Sequence, residues 1–124
     1  MIAKKKAEIE FGGEMRTFNF GLGFLGLYVE KTDNPLDNLL EDVQKNPFKV
    51  IPDLMYYSLL YGFIRQEIAP PFNRYDVIDW IDEEGGVGGE KILKFMELLG
   101  DSMNPNLPED KSIKKKNKVR PIKK

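Results

Sequence analysis

The longest patterned apolar run in the chain lies between Pro47 and Ile68. At about 100° per residue, Val50, Leu54, Tyr57, Tyr61, Ile64 and Ile68 fall along one line of a helix. Met55, Leu59, Tyr56 and Phe63 cover much of the opposite side, with Asp53, Ser58, Arg65 and Glu67 in the gaps. A helix apolar on both sides is wrapped by neighbours, or by neighbours on one side and a partner on the other. Pro52-Asp53 suits a first helical turn, where the missing N–H costs nothing and a carboxylate meets the positive helix end. Ala69-Pro70-Pro71 stops the helix. Asp53, Arg65 and Glu67 interrupt any run of about 20 apolar residues such as a membrane span needs. The pattern therefore predicts the central helix of a small soluble domain.

The rest of the pattern falls into shorter pieces. Over residues 5–20, Ile9 and Phe11 alternate with Glu8 and Glu10, and after Gly12-Gly13 the alternation resumes to Phe20. Two alternating runs joined by a glycine pair predict a β-hairpin whose apolar face must rest on helices. Residues 21–30 place Leu22, Leu25 and Val29 on one helical face despite three glycines, and a short helix is expected there. Thr32-Asp33-Asn34-Pro35 reads as an Asx cap with proline at the first helical position. It opens a helix to about Lys45 with Leu36, Leu39, Leu40 and Val43 on one face, ended by Asn46-Pro47. Asn73 caps a short helix from Arg74 to Glu84, turning Val77, Ile78, Trp80 and Ile81 inward and Asp79, Asp82 and Glu83 outward. After the link Gly85–Gly89 comes a last helix, Glu90 to Leu99, with Ile92, Phe95, Met96 and Leu99 as its stripe and Gly100 just past its end. From Asn104 onward apolar residues are too sparse to pack. The expectation is a mainly α domain over residues 1–103 with an N-terminal β-hairpin, followed by a disordered basic tail over 104–124.

Composition narrows the chemistry. A length of 124 residues, 41% hydrophobic and 31% charged, is one ordinary globular domain. Cysteine and histidine are both absent, which removes disulfides, thiolate nucleophiles, imidazole bases and the usual zinc ligands. No apolar h-region follows the basic start, so no signal peptide is expected. The net charge of −1 hides an asymmetry. Residues 1–103 carry 11 Lys and Arg against 18 Asp and Glu, a net of −7, and residues 104–124 carry 8 against 2, a net of +6.

Three stretches invite a functional reading and each has a plainer one. Gly21-Leu22-Gly23-Phe24-Leu25-Gly26 matches the dinucleotide-binding G-x-G-x-x-G spacing after a predicted strand. The second strand of a βαβ unit is missing, however, and large apolar residues fill the variable positions, so a glycine-loosened packing segment is the better account. Asp79, Asp82, Glu83 and Glu84 lack the EF-hand spacing and read as a solvated helix face. The lysines near the C-terminus could meet nucleic acid through phosphates, without specificity. A solvating tail, or a tether against an acidic surface, accounts for them equally well. So many Phe, Tyr and Met residues in a domain this small leave room for an uncovered apolar patch, as protein-binding surfaces have.

In this order of elements the chain resembles the tail assembly chaperones of long-tailed bacteriophages. The likeness lies in a β segment ending in Phe18-Asn19-Phe20, a glycine-interrupted helix and the helix of NPLDNLLEDV. It continues through the aromatic helix IPDLMYYSLLYGFIRQE, the acidic segment YDVIDWIDE, an amphipathic helix and a charged tail, spanning roughly residues 8–103. The resemblance implies a non-enzymatic protein of the bacterial host's cytoplasm that binds the tape measure protein, keeps its hydrophobic helices from aggregating and promotes polymerisation of the tail tube. It implies the tape measure protein as partner and the tail tube protein as a further candidate, with self-association open. It implies no cofactor, no metal, no small-molecule substrate, no membrane and no nucleic acid. Many such proteins are made in two lengths by a ribosomal frameshift, and Lys114-Lys115-Lys116 lies where a slippery sequence could fall. The partner-binding surface is expected on the narrower face of the central helix, at Met55, Tyr56, Leu59 and Phe63. The alternative reading is a generic interaction or adaptor module whose basic tail docks on nucleic acid or an acidic partner.

Overall fold

The computed structural model describes residues 5–103 of the chain, and the expected tail over 104–124 lies outside the described residues. Strands β1 (Lys6–Phe11) and β2 (Glu14–Asn19) form an antiparallel hairpin, followed by helices α1 (Leu22–Thr32), α2 (Leu39–Lys45), α3 (Pro47–Gln66), α4 (Arg74–Glu83) and α5 (Glu90–Met103). Short 3-10 turns at Leu36–Asn38 and Gly86–Gly88 precede α2 and α5. The architecture is mainly α with an N-terminal hairpin, as the periodicity predicts.

Phe11 pairs with Glu14 across Gly12-Gly13, whose φ angles of +65° and +86° are those a tight hairpin turn with right-handed strand twist requires. Gly12 serves twice: a Cβ there would meet the Trp80 indole, so glycine also lets α4 lie against the turn. The hairpin's inner face presents Phe11 and Phe18, fully buried, and its rings join those of Phe20, Phe24 and Phe95 in the core, with Phe18 and Phe95 centroids 5.2 Å apart.

Helix α3 runs through the middle and packs on α1, α2, α4 and β2. Its first two-thirds is buried at Val50, Ile51, Leu54, Met55, Ser58 and Leu59, while Ile64 and the following Ile68 are exposed. The expected helix start at Pro52-Asp53 is corrected. Pro47 takes the first helical position, Pro52 lies within the helix, and Asp53 is past the reach of the helix end. The Asp53 carboxylate is buried and instead accepts from Arg74 Nε at 2.6 Å and Lys49 Nζ at 3.3 Å, joining α3 to α4. The helix ends at Gln66, where left-handed Glu67 returns the Ile68 N–H to the Phe63 carbonyl at 3.0 Å, before the Pro-Pro break is reached.

Side chains bind the hairpin to this helix reciprocally. Asn19 Nδ2 donates to the Ser58 carbonyl at 2.9 Å, and Ser58 Oγ donates to the Asn19 carbonyl at 2.8 Å, both groups buried. The glycine segment works as a packing device, since a Cβ on Gly23 would run into the Tyr61 hydroxyl where α1 crosses α3.

Two further expectations shift. The segment from Leu36 divides into a 3-10 turn and α2, and the tighter winding, about 3 residues per turn, rotates Leu40 outward to 73% exposure, leaving Leu39 as the buried residue. The start signal before it is used differently: Asp33 closes α1 in the left-handed conformation, and Asn34 Nδ2 donates to the Tyr28 hydroxyl at 2.9 Å. Asn73 does cap α4, with a full capping box to Asp76. Helix α5 passes through Gly100 to Met103 rather than stopping at Leu99.

Candidate partner-binding site

The four residues expected to form the binding face are separated by the fold. Met55 and Leu59 are 1% and 2% exposed and belong to the core. Tyr56 and Phe63 are half-buried, each with its ring edge-on to Phe72, at centroid distances of 6.2 and 5.5 Å. The face is covered by a residue that carries no periodicity: Phe72, in the loop after Pro70-Pro71, lies against Tyr56, Phe63 and Trp80.

Where this cover ends a cleft opens between β2 and the C-terminal half of α3, with a volume of about 330 Å³. Leu59, Gly62 and Phe63 line it from the helix, Met15 and Thr17 from the strand, and Pro71 and Phe72 from the loop. Met15 is 60% exposed. The strand also brings main-chain groups. The Phe20 N–H donates to the Lys5 carbonyl at 2.6 Å, and alternation from that pair turns the N–H and C=O groups of Asn19, Thr17 and Met15 away from β1. The Asn19 carbonyl is taken by Ser58. Those of Thr17 and Met15 face the cleft with no hydrogen bond to another described residue. The opposite edge, on β1, is guarded by the exposed carboxylates of Glu8 and Glu10, the latter 3.7 Å from Lys91 Nζ. So the open edge is the one beside the cleft.

Arg16, at the cleft's rim, is committed to structure. Its guanidinium lies 3.9 Å from the Trp80 ring centroid and 5.8 Å from that of Phe72, and it donates to the Phe11 and Gly12 carbonyls. The perturbed titratable groups lie elsewhere. Burial pushes the Tyr28 hydroxyl above its ordinary range, against the bond from Asn34, and burial followed by the Asp53 charge does the same for Tyr57. Among the described residues no cluster of His, Cys, Asp or Glu is placed to hold a metal ion, and no helix is long and apolar enough to cross a membrane.

A second groove, also of about 330 Å³, lies between α2 and α5. Leu36, Leu40, Val43 and Met96 form its open side over Leu39 and Leu99. Both helices show a single apolar stripe in sequence, and both stripes read as core. The surplus leucine at position 40 was the one signal that they are wider than one neighbour can cover.

No family model, curated protein or solved structure matches the chain.

Proposed function

We propose that this chain is a non-enzymatic tail assembly chaperone of a long-tailed bacteriophage, acting in the cytoplasm of the bacterial host. It would hold apolar segments of the tape measure protein in the β2–α3 cleft until tail tube subunits polymerise around them. One observation carries the reading: a strand edge with unpaired main-chain groups stands beside exposed Met15 and half-buried Phe63, in a cleft whose lining also holds Lys6, Glu14 and Arg16. Such a cleft offers hydrogen bonds to any extended backbone and adaptable apolar contact to any side chain, which suits a client recognised by stickiness rather than by a defined sequence. The order of elements, from hairpin through glycine-containing α1 to the aromatic α3 and acidic α4, supports the likeness to that family.

The test is co-expression with fragments of a tape measure protein encoded beside the gene. Wild-type chain should co-purify with a fragment, and the variant Met15→Glu with Phe63→Ser should lose it while keeping its helical circular dichroism. Both changes lie at half-buried or exposed positions, so the fold should tolerate them. A variant that retains the fragment would remove the cleft from the reading. Failure of the wild-type chain to bind any fragment would remove the function.

A further inference from the structure

We propose that the groove between α2 and α5 is the docking site for the chain's own C-terminal segment, residues 104–124, which binds there in cis. The groove is a separate surface from the β2–α3 cleft, and the proposal does not rest on the function assigned to that cleft.

Connectivity is the first argument. Met103, the last residue of α5, lines the groove itself, so the following segment leaves from the groove's own wall. From Met96 to Met103 the wall is about 10 Å long at about 1.5 Å per helical residue. An extended chain covers about 3.3 Å per residue, so Leu107 reaches any point of it, and Ile113 has slack to return. Chemistry is the second argument. The open side of the groove is aliphatic, with Leu40 mostly exposed and Leu36, Val43 and Met96 half-buried. Asp37 lies in its lining and has no ion pair among the described residues. The nearby Lys45 is committed to Glu41 at 2.9 Å. An apolar floor with one unpaired carboxylate in its lining, on a body of net negative charge, suits an occupant that combines aliphatic residues with a basic balance. Residues 104–124 have that balance: Leu107 and Ile113 are aliphatic, Ile113 lies between Lys111 and Lys114, and the net charge is +6 against −7 for residues 1–103. Tethering supplies the rest. A segment joined by a short linker faces its site at an effective concentration in the millimolar range, so even a site of about 1 mM strength is about half filled.

The absence of cysteine allows a clean experiment on the full chain. A nitroxide is attached at Ser112→Cys, and amide signals of the isotope-labelled protein are recorded with the label oxidised and reduced. Signals from Leu36 to Val43 and Met96 to Met103 should be largely lost, because rapid exchange averages the relaxation rate and half occupancy still leaves it large near the label, with those of the β2–α3 cleft unaffected. The loss should be independent of protein concentration, should shrink as salt is raised, and should vanish in the variant Leu107→Asp with Ile113→Asp, which leaves the folded body untouched. Uniform or absent broadening would overturn the proposal and leave the groove open for a separate partner. Broadening in a mixture of isotope-labelled chains and unlabelled nitroxide-bearing chains would overturn the cis arrangement in favour of docking on a second copy.

Discussion

Trp80→Ala separates this packing scheme from a simpler one in which α4 merely leans on α3. The indole stands at the junction of three elements. Its ring meets Phe11 at 5.6 Å, nearly perpendicular, meets Phe72 at 5.7 Å, carries the Arg16 guanidinium at 3.9 Å and presses on Gly12. Truncating a fully buried tryptophan costs about 3–5 kcal/mol, and Trp80 is only half-buried, which lowers the transfer part of that figure. Two aromatic pairs each add about 0.5–1.5 kcal/mol beyond area, and a partly desolvated cation on the indole face adds about 1–2 kcal/mol. The expected loss is therefore about 3 kcal/mol. At about 4–8 °C per kcal/mol for a domain of this size, Tm should fall by about 12–24 °C. Urea melts of Trp80→Ala, Arg16→Ala and the double variant then isolate the pair. The cycle should return a favourable coupling of about 1–2 kcal/mol. A single-variant loss below about 1 kcal/mol, or a coupling within the roughly 0.3–0.5 kcal/mol scatter of independent sites, would refute the picture of α4 held to the hairpin through this stack.

The glycines of α1 should respond with opposite signs. Gly26→Ala meets open space and should stabilise by about 0.5–1 kcal/mol, whereas Gly23→Ala runs into the Tyr61 hydroxyl and should destabilise, with recovery in a Tyr61→Ser background; thermal melts of the two variants moving in the same direction would contradict the close α1–α3 crossing. Titration of the wild-type chain with ATP, GTP and NAD should give no saturable heat, and binding lost in Gly23→Ala would contradict the packing role of that segment. For pH, burial favours neutral Tyr28 and Tyr57 in the folded chain, so their folded pKa values lie above the unfolded value of about 10. Their contribution is then complete below about pH 10 and is lost as pH rises through the folded values. Unfolding free energies from urea melts should stay level to about pH 9 and fall above pH 10, less steeply in Tyr28→Phe, and equal slopes in the two proteins would contradict the assignment.

What the sequence made legible was what local chemistry decides. The Gly12-Gly13 turn and the Asn73 cap each carry their cause within a few neighbouring residues and stand where the pattern puts them, and the long apolar helix is present with its start moved from Pro52 to Pro47. Misreadings arose where a residue's role is set across the fold. Asp53 reads as a helix-end carboxylate, but Arg74, 21 positions further along the chain, brings its Nε within 2.6 Å of it. Leu40 reads as core because a helical period was carried through a 3-10 turn. Of the expected binding face, Met55 and Leu59 are buried, and Tyr56 and Phe63 lie against Phe72, an unpatterned loop residue that periodicity cannot place. Conversely, the open edge of β2 depends on a hydrogen-bonding parity that side-chain alternation alone does not reveal.

The ring cluster that joins β2 to α5 also sets a timetable. Phe18 is added to the growing chain roughly 80 residues before Phe95, whose ring it meets at 5.2 Å. At a synthesis rate of about 5–20 residues per second, the hairpin's apolar face waits about 4–16 s for the helix that covers it. Closing the core thus depends on a pairing between the two ends of the described chain, and such non-local closure is slow compared with the microseconds a hairpin needs. Through that interval the newborn protein exposes the phenylalanines of its first strands while the last helix is still being made. It is then itself a candidate client for any holdase near the ribosome, until Phe95 arrives.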